Sequence, residues 1–231
     1  MGGAVTRPLP GEEARVPAGI ARIGMLGGTF DPIHVAHVAV AQAARRELDL
    51  DEVVVIPAGQ PPHKLGVEMA PAADRLRMVE LALAKEKGLV SSRIEIDRAG
   101  PSWTIDTAMA LHEAARAEGL DLDLTMILSA DAFASLPAWH EPERLLRMVR
   151  VAVAPRPGTA APSLESLPSA LLDAAIGITI LRGPNLDVSA TEIRRRVAAG
   201  RSIERFVAPA VARYIKEHHL YRQGSTSEDT T

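Results

Sequence analysis

Residues Ile23–His37 read I-G-M-L-G-G-T-F-D-P-I-H-V-A-H, a strand signal followed by glycines and two histidines. The apolar start of this segment predicts a buried strand, which Gly27 and Gly28 end. The pair Asp31–Pro32 then indicates the start of a helix, with aspartate as the cap and proline at the first helical position. The segment therefore predicts a strand, a glycine turn and a helix in succession.

His34 and His37 follow directly after that predicted helix start. A helix N-terminus directs unpaired N–H groups and partial positive charge outward, which favours an anion. Glycines let the backbone approach a phosphate closely, and two imidazoles three residues apart lie near one helix face. We therefore predict a phosphate site at the carboxyl end of the first strand.

Composition narrows the class of protein. The chain has 231 residues, and 47% hydrophobic with 24% charged residues is ordinary for a globular α/β protein. The net charge of −3 provides no broad basic surface for nucleic acid, so an anionic ligand needs local positive groups. Cysteine is absent, which excludes disulfides and thiolate metal sites and is typical of the cytosol.

Targeting signals are not found either. No apolar run reaches the roughly 18–20 residues of a membrane span, and residues 1–19 lack the apolar core of a signal peptide. We expect a cytoplasmic protein without a membrane or nucleic-acid partner. The expected organisation is one α/β domain over residues 20–222, between flexible tails at residues 1–19 and 223–231.

Strand and helix signals alternate along the chain. This alternation favours an α/β fold, Rossmann-like and doubly wound, with a mainly parallel sheet, helices on both faces and C-terminal helices. The predicted strands are Ala21–Leu26, Glu52–Ile56, Arg93–Ile96, Leu124–Leu128, Arg150–Ala154 and Ile176–Leu181. The predicted helices are Val35–Glu47, Ala72–Lys87, Thr104–Glu118, Ala190–Ala199 and Ala208–His218.

Ligands of such sheets bind at the carboxyl ends of strands, so the loops there supply the candidate residues. Lys64 ends a proline-rich loop and is a mobile cation suited to phosphate, or else a surface lysine. Ser102 or Thr104 can cap the next helix, whose amides would then hold a carboxylate, while Trp103 offers a flat face to a ring. The alternative is a capped helix with a core tryptophan.

The later loops carry similar ambiguities. Asp131 can accept hydrogen bonds from ribose hydroxyls, or it caps a helix. Trp139 either stacks on an aromatic ligand or fills the core, and Arg156 is best interpreted as part of a solvated turn.

A second helix start is predicted near the end of the chain. Ser189 and Glu192 form a capping-box pattern, and Thr191 and Arg194 lie on one face, so this start either binds phosphate or is a well-capped surface helix.

Together, these segments resemble the nucleotidyltransferase superfamily, and within it the bacterial nicotinate-nucleotide adenylyltransferases. G-G-T-F-D-P-I-H-V-A-H is similar to the signature G-x-F-D-P-x-H-x-G-H, and six further segments match in order over Ile20–Tyr221. They read P-P-H-K, S-W-T-I-D-T, S-A-D-A-F-A-S-L-P-A-W, A-P-R-P-G, V-S-A-T-E-I-R and V-A-R-Y-I-K-E-H-H-L-Y. Ala36 and Ser129 stand where the family has glycine, and Trp103 where it usually has tyrosine.

The resemblance implies transfer of AMP from ATP to nicotinate mononucleotide in NAD biosynthesis, with Mg²⁺ arriving on ATP and no protein metal ligand. The implied catalytic residues are His34, His37 and Arg194. The implied ATP-binding residues are Gly27, Gly28, Thr29, Phe30, His34, His37, Asp131, Val188, Ser189, Thr191 and Arg194. The implied mononucleotide-binding residues are Lys64, Trp103, Thr104, Trp139 and His140.

Other functions stay open on the sequence alone. One alternative is an adenylyltransferase whose acceptor is nicotinamide mononucleotide or phosphopantetheine. Another is a nucleotide-sensing protein of the same fold without turnover. A metal-binding protein that uses the seven histidines is a further alternative. The oligomeric state is not determined, and a homo-oligomer is compatible with the sequence.

Overall fold

The structure, a computed structural model, describes residues 20–62, 68–155, 158, 163–164, 167–184 and 186–222. Strands and helices alternate through this part of the chain. The strands are Ile20–Gly28 (β1), Glu52–Pro57 (β2), Leu89–Ser91 (β3), Asp121–Ser129 (β4), Arg150–Ala154 (β5) and Ile178–Ile180 (β6). The helices are Val35–Glu47 (α1), Ala72–Leu83 (α2), Thr104–Ala117 (α3), Ala130–Ser135 (α4), Pro142–Leu146 (α5), Ser169–Ala174 (α6), Ala190–Ala198 (α7) and Pro209–Glu217 (α8), with a 3₁₀ turn at Leu136–Ala138.

The strands form one six-stranded sheet in the order β3-β2-β1-β4-β5-β6. All five pairings are parallel. The chain proceeds outward from β1 in one direction and then returns to place β4 on the other side of β1, so the strand order reverses between these two strands. Their carboxyl ends are therefore where a ligand of such a sheet binds.

Successive residues of the central strands point to opposite faces of the sheet, and both faces are buried. Met25 and Met126 pack with α3, α5 and α6 on one face. Leu26 and Ile127 pack with α1, α2, α7 and α8 on the other. This arrangement confirms the predicted α/β, doubly wound parallel sheet with helices on both faces.

The third strand was predicted at the wrong place. Leu89–Ser91 forms β3, whereas Arg93–Ile96 is a turn in which the Ile96 amide donates to the Arg93 carbonyl at 2.8 Å. The Arg93 guanidinium also pairs with the Asp97 carboxylate across this turn at 3.0 Å. Isoleucines at 94 and 96 give the alternating apolar pattern of a strand. The backbone N–H and C=O groups here are instead satisfied by hydrogen bonds within a turn.

Other boundaries differ less. α2 ends at Leu83, four residues before the predicted end, and β6 spans only the middle of the predicted Ile176–Leu181. The short helices α4, α5 and α6 were not predicted, because five or six residues hold too few turns to show a helical period.

The expected tails, residues 1–19 and 223–231, lie outside the described residues, so the domain boundaries stay predictions. Among the residues that the structure describes, no helix is both long and apolar enough to cross a membrane.

Gly24 on β1 is a place where the core tolerates no side chain. A Cβ atom there would lie 2.9 Å from Val53 Cγ2 and 3.0 Å from Ile127 Cδ1, both in fully buried side chains. We expect Gly24→Ala to lower the free energy of unfolding by ~1–3 kcal/mol through overpacking, measured by urea denaturation. Gly27→Ala on the same strand is the control, since nothing lies within 4 Å of its Cβ position. Equal stability of the two variants would contradict this account.

Candidate active site

The first helix has the predicted bounds, Val35–Glu47, but not the predicted cap. α1 starts at Val35 with His34 at its N-cap, so the assignment of Asp31 as the cap is wrong. Asp31 is buried, with 4% of its surface exposed, and its Oδ1 accepts hydrogen bonds from the Tyr221 hydroxyl at 2.7 Å and the Ala70 amide at 3.2 Å. These donors are distant in sequence, so a cap pattern read locally could not reveal them.

The two histidines hold each other in place. Their rings stack with centroids 3.6 Å apart and planes 15° from parallel. The His34 backbone N–H donates to His37 Nδ1 at 3.2 Å. Because Nδ1 is the acceptor, the proton of neutral His37 lies on Nε2, which is then a hydrogen-bond donor. The edge of the buried Phe30 ring packs against His37 with centroids 5.0 Å apart, which restricts the imidazole further.

The last two residues of β1, Gly27 and Gly28, and the loop after them lie beside these rings. Gly27 is exposed, with open space where its side chain would be. A Cβ at Gly28 would lie 3.0 Å from the Phe30 ring, so glycine lets that ring sit where it orients His37. The Thr29 carbonyl accepts a hydrogen bond from Arg75 at 2.8 Å. The loop is thus shaped from inside the protein, while its outer backbone stays accessible.

Arg75 of α2 is the buried cation behind this loop, and sequence reasoning missed it. Only 1% of its surface is exposed. Its guanidinium donates to the carbonyls of Thr29 at 2.8 Å, Ala70 at 3.0 Å and Gly59 at 3.3 Å. Burial lowers the pKa of Arg75, and the nearby Asp31 carboxylate opposes that shift. A signal existed, because Arg75 stands on the core face of α2 with Met78 and Val79.

The second predicted helix start reaches the same loop. α7 begins after Ser189, whose hydroxyl accepts from the Glu192 amide at 3.2 Å, so the predicted cap is present. Arg194 donates through Nη2 to Thr191 Oγ1 at 3.4 Å and through Nη1 to the Asp31 carbonyl at 2.7 Å. Val188 lies half-buried just before the helix. The first turn of α7 therefore lies beside the loop that leads into α1.

Aromatic side chains from two other loops, which follow β3 and β4, contact each other. Trp103, which precedes α3, lies 4.7 Å from the His140 ring. Trp139 is half-buried, and its indole Nε1 donates to Ser135 Oγ at 3.1 Å. Thr104 is the first residue of α3, directly after Trp103. The structure thus brings together the ring-bearing segments that the sequence assigned to the mononucleotide.

The predicted cap of α3 is wrong. Trp103 occupies the N-cap position, and no side chain of the described residues caps this helix. Ser102 Oγ instead accepts hydrogen bonds from the amides of Gly59 at 3.0 Å and Gln60 at 3.1 Å. The first amides of α3 therefore have no side-chain cap.

At the end of β4, the residue that caps the next helix is Ser129 and not Asp131. Ser129 Oγ accepts from the Ala132 amide at 3.2 Å and caps α4, while Asp131 lies exposed in the first turn of that helix. The candidate residues Lys64 and Arg156 lie outside the described residues.

Three comparisons with known proteins bear on the function of this candidate site. The family model described as cytidylyltransferase-like matches residues 25–196. A probable nicotinate-nucleotide adenylyltransferase of Roseiflexus sp. (strain RS-1) is 47% identical over 204 residues, which is 87% of this chain and 98% of that protein. The chain belongs to the nicotinate-nucleotide adenylyltransferase family. This finding confirms the resemblance that the seven motifs indicated.

A further relative agrees with this membership, and a solved structure shares the fold. A protein of the same description from Bordetella avium (strain 197N) is 43% identical over 201 residues, 87% of this chain and 98% of its own length. The solved structure of Plasmodium falciparum nicotinic acid mononucleotide adenylyltransferase complexed with NaAD matches with a TM-score of 0.69. That match covers 87% of this chain and 97% of the other at 17% identity, and it shows a shared fold.

The Tyr221 hydroxyl ties the C-terminal turn of this family member to Asp31. Burial and the adjacent carboxylate raise the pKa of Tyr221, so the phenol stays a proton donor. We expect Tyr221→Phe to lower the free energy of unfolding by about 2 kcal/mol, because a buried carboxylate loses a charge-assisted hydrogen bond.

Tyr214→Phe provides a matched control for that substitution. The Tyr214 hydroxyl also donates to a carboxylate, Asp74, at 2.7 Å, but this pair is only half-buried. The loss in urea denaturation should be smaller for this variant, and equal losses would contradict a special role for the Asp31 contact.

Proposed function

We propose that the cleft at the carboxyl ends of β1 and β4 transfers AMP from ATP to nicotinate mononucleotide, forming deamido-NAD and pyrophosphate. Membership of the nicotinate-nucleotide adenylyltransferase family supports this reaction and its place in NAD biosynthesis. The observation that supports it best in the structure is the contact of Arg194 with the Asp31 carbonyl, three residues before His34. That contact brings two helix N-termini, two imidazoles and a guanidinium to one loop.

The chemistry requires positioning and charge neutralisation. The phosphate of the mononucleotide attacks the α-phosphorus of ATP, a new P–O bond forms, and the bond to the β-phosphate oxygen breaks as pyrophosphate leaves. A phosphate monoester has its second pKa near 6, so the nucleophile is already anionic at neutral pH and needs no general base. The rate then depends on in-line alignment and on donors placed where charge accumulates.

We assign the triphosphate to the histidine and α7 side of the cleft. His37 Nε2–H donates to the α-phosphoryl group, and His34 with the first turn of α1 adds positive potential there. Ser189, Thr191 and Arg194 bind the β- and γ-phosphates. Arg194 exchanges its backbone carbonyl partner for phosphate oxygens when ATP binds.

The remaining ATP contacts come from the turn after β1 and from the end of β4. The backbone of Gly27–Phe30 lies along the phosphates, and Val188 borders the same group. The exposed carboxylate of Asp131 accepts hydrogen bonds from the adenosine ribose.

We assign the mononucleotide to the aromatic end of the cleft. Trp139 stacks on the pyridine ring, with Trp103 and His140 beside it. The amides at Thr104 and the next residue bind the carboxylate, since no described side chain caps them. Lys64 is proposed to bind the mononucleotide phosphate.

Mg²⁺ is expected to arrive with ATP. Among the described residues, no group of three or more histidine, cysteine, aspartate or glutamate side chains is arranged to hold a metal ion. The buried Asp31 carboxylate already accepts two hydrogen bonds. These residues fit an ion held by phosphate oxygens and water, which neutralises charge on the leaving pyrophosphate.

The reaction is tested by incubating the purified chain with ATP, Mg²⁺ and nicotinate mononucleotide. We expect equal amounts of deamido-NAD and pyrophosphate, measured by chromatography and a coupled phosphate assay. A parallel reaction with nicotinamide mononucleotide should be slower, because its amide lacks the charge that favours the α3 amides. Absence of both products with either mononucleotide would refute the proposal, and faster turnover of nicotinamide mononucleotide would refute the assigned acceptor.

His37→Ala tests the assigned phosphoryl contact. We expect kcat to fall about 100-fold or more, the usual effect of removing one transition-state hydrogen-bond donor, with the fold retained by circular dichroism. His112→Ala on α3 is the control, because His112 contacts the Met148 carbonyl away from the cleft. Wild-type turnover by the His37 variant would remove this residue from the mechanism.

A further inference from the structure

A buried polar connection joins the triphosphate loop to the loop after β2. Arg75 donates to the Thr29 carbonyl at 2.8 Å and to the Gly59 carbonyl at 3.3 Å. Since Arg75 is 1% exposed, water does not compete for these bonds. The guanidinium therefore sets the separation of the two loops.

The connection continues from Gly59 to the start of α3. The Gly59 amide donates to Ser102 Oγ at 3.0 Å, and the Gln60 amide donates to the same oxygen at 3.1 Å. A Cβ at Gly59 would lie only 2.2 Å from the Glu95 carbonyl oxygen, so the two backbone segments are packed in direct contact. This packing brings the Glu95 carboxyl group beneath α3.

The Glu95 side chain forms a hydrogen bond with α3. Its Oε1 accepts a hydrogen bond from Thr107 Oγ1 at 2.7 Å, and Thr107 lies in the first turn of α3. Thr107 in turn accepts from the Arg98 guanidinium at 3.0 Å, which also reaches the Trp103 carbonyl at 3.4 Å. Glu95 is thus joined through Thr107 to the helix turn that begins at Thr104, and Arg98 joins the same hydroxyl to the Trp103 carbonyl.

This side chain is buried at an energetic cost. Glu95 is 7% exposed, and burial raises its pKa, against the hydrogen bond from Thr107 and the charge of Arg98. A buried carboxyl group is tolerated when its oxygens are satisfied. The Oε1 bond from Thr107 joins Glu95 to a segment that carries no part of the triphosphate site.

We propose that Glu95 is a positioning residue for adenylyl transfer: through its bond from Thr107, and through the packing of its backbone against Gly59, it holds the first turn of α3 at a set distance from the triphosphate loop. This inference rests on the proposed function, because it assigns the mononucleotide to the first turn of α3. In-line attack needs both reactants in register, and a misplacement of about 1 Å can cost about 100-fold in rate.

The test is Glu95→Gln, which keeps the shape but removes the negative charge and replaces one acceptor oxygen with an amide donor, so the hydrogen bond from Thr107 is weakened or lost. We expect the KM for nicotinate mononucleotide to rise and kcat to fall, each by about 10-fold or more, with the KM for ATP unchanged within about twofold. A role in stability alone would lower Tm and leave all three constants unchanged in the folded protein. That result would overturn the proposal.

Three further variants keep the test decisive if Glu95→Gln folds poorly. Thr107→Val removes the hydroxyl that donates to Glu95 and should reproduce the defect, whereas Thr107→Ser retains it and should behave as wild type. Asp97→Asn is the control, since Asp97 is exposed and pairs with Arg93 instead of α3. Wild-type constants for Thr107→Val would overturn the proposal as surely as those for Glu95→Gln.

Binding without turnover separates this inference from the proposed reaction. Titration of tryptophan fluorescence with nicotinate mononucleotide, without ATP, reports Kd through Trp103 and Trp139. A wild-type chain that binds the mononucleotide but makes no deamido-NAD would refute the reaction, while a Kd raised about 10-fold in Glu95→Gln would still support positioning. Equal Kd values in the two proteins would overturn the positioning role, and a wild-type chain without affinity would overturn both.

Discussion

The burial of the Asp31 carboxylate is the constraint on which the cleft depends. Removing a carboxylate from water costs several kcal/mol unless donors and positive charge replace the lost hydration. The replacements here are the Tyr221 hydroxyl, the Ala70 amide and the nearby guanidinium of Arg194, whose Nη1 lies 3.9 Å from Oδ2. They come from three separate parts of the chain, so Asp31 is satisfied only when all three have reached the loop after β1.

The same constraint explains how an acidic protein forms an anion site. The net charge is −3, yet the loop that carries His34 is flanked by Arg75 from behind and Arg194 from the side. The guanidinium of Arg75 donates its hydrogen bonds to backbone carbonyls and thereby fixes the shape of the loop. Arg194 is one-third exposed, so it can exchange a carbonyl for a ligand oxygen at little cost.

The departures from the family signature have local structural roles. Ser129 stands where glycine is usual, and its hydroxyl caps α4 by accepting from the Ala132 amide. Trp103 stands where tyrosine is usual, and its larger ring packs against His140. Ala36 lies half-buried in the first turn of α1, directly before His37 in the sequence. The chain retains His34, His37 and Arg194 beside these substitutions.

The sequence by itself determined the parts that depend on near neighbours. Continuous apolar runs and helical periods placed β1, β2, β5 and α1 within one or two residues, and the Ser189 cap follows from a bond spanning three residues. The prediction of a strand at Arg93–Ile96 was wrong, because an alternating apolar pattern also fits a turn. Seven motifs in order were enough to indicate the family.

Only the tertiary structure decided which polar groups meet. Asp31 reads locally as a helix cap, but its partners at Ala70 and Tyr221 lie 39 and 190 residues away. The sequence predicted no role for Arg75 or Glu95, yet both are buried. A buried charge is stabilised by whatever donors the fold brings to it, and no local pattern of residues specifies that partner.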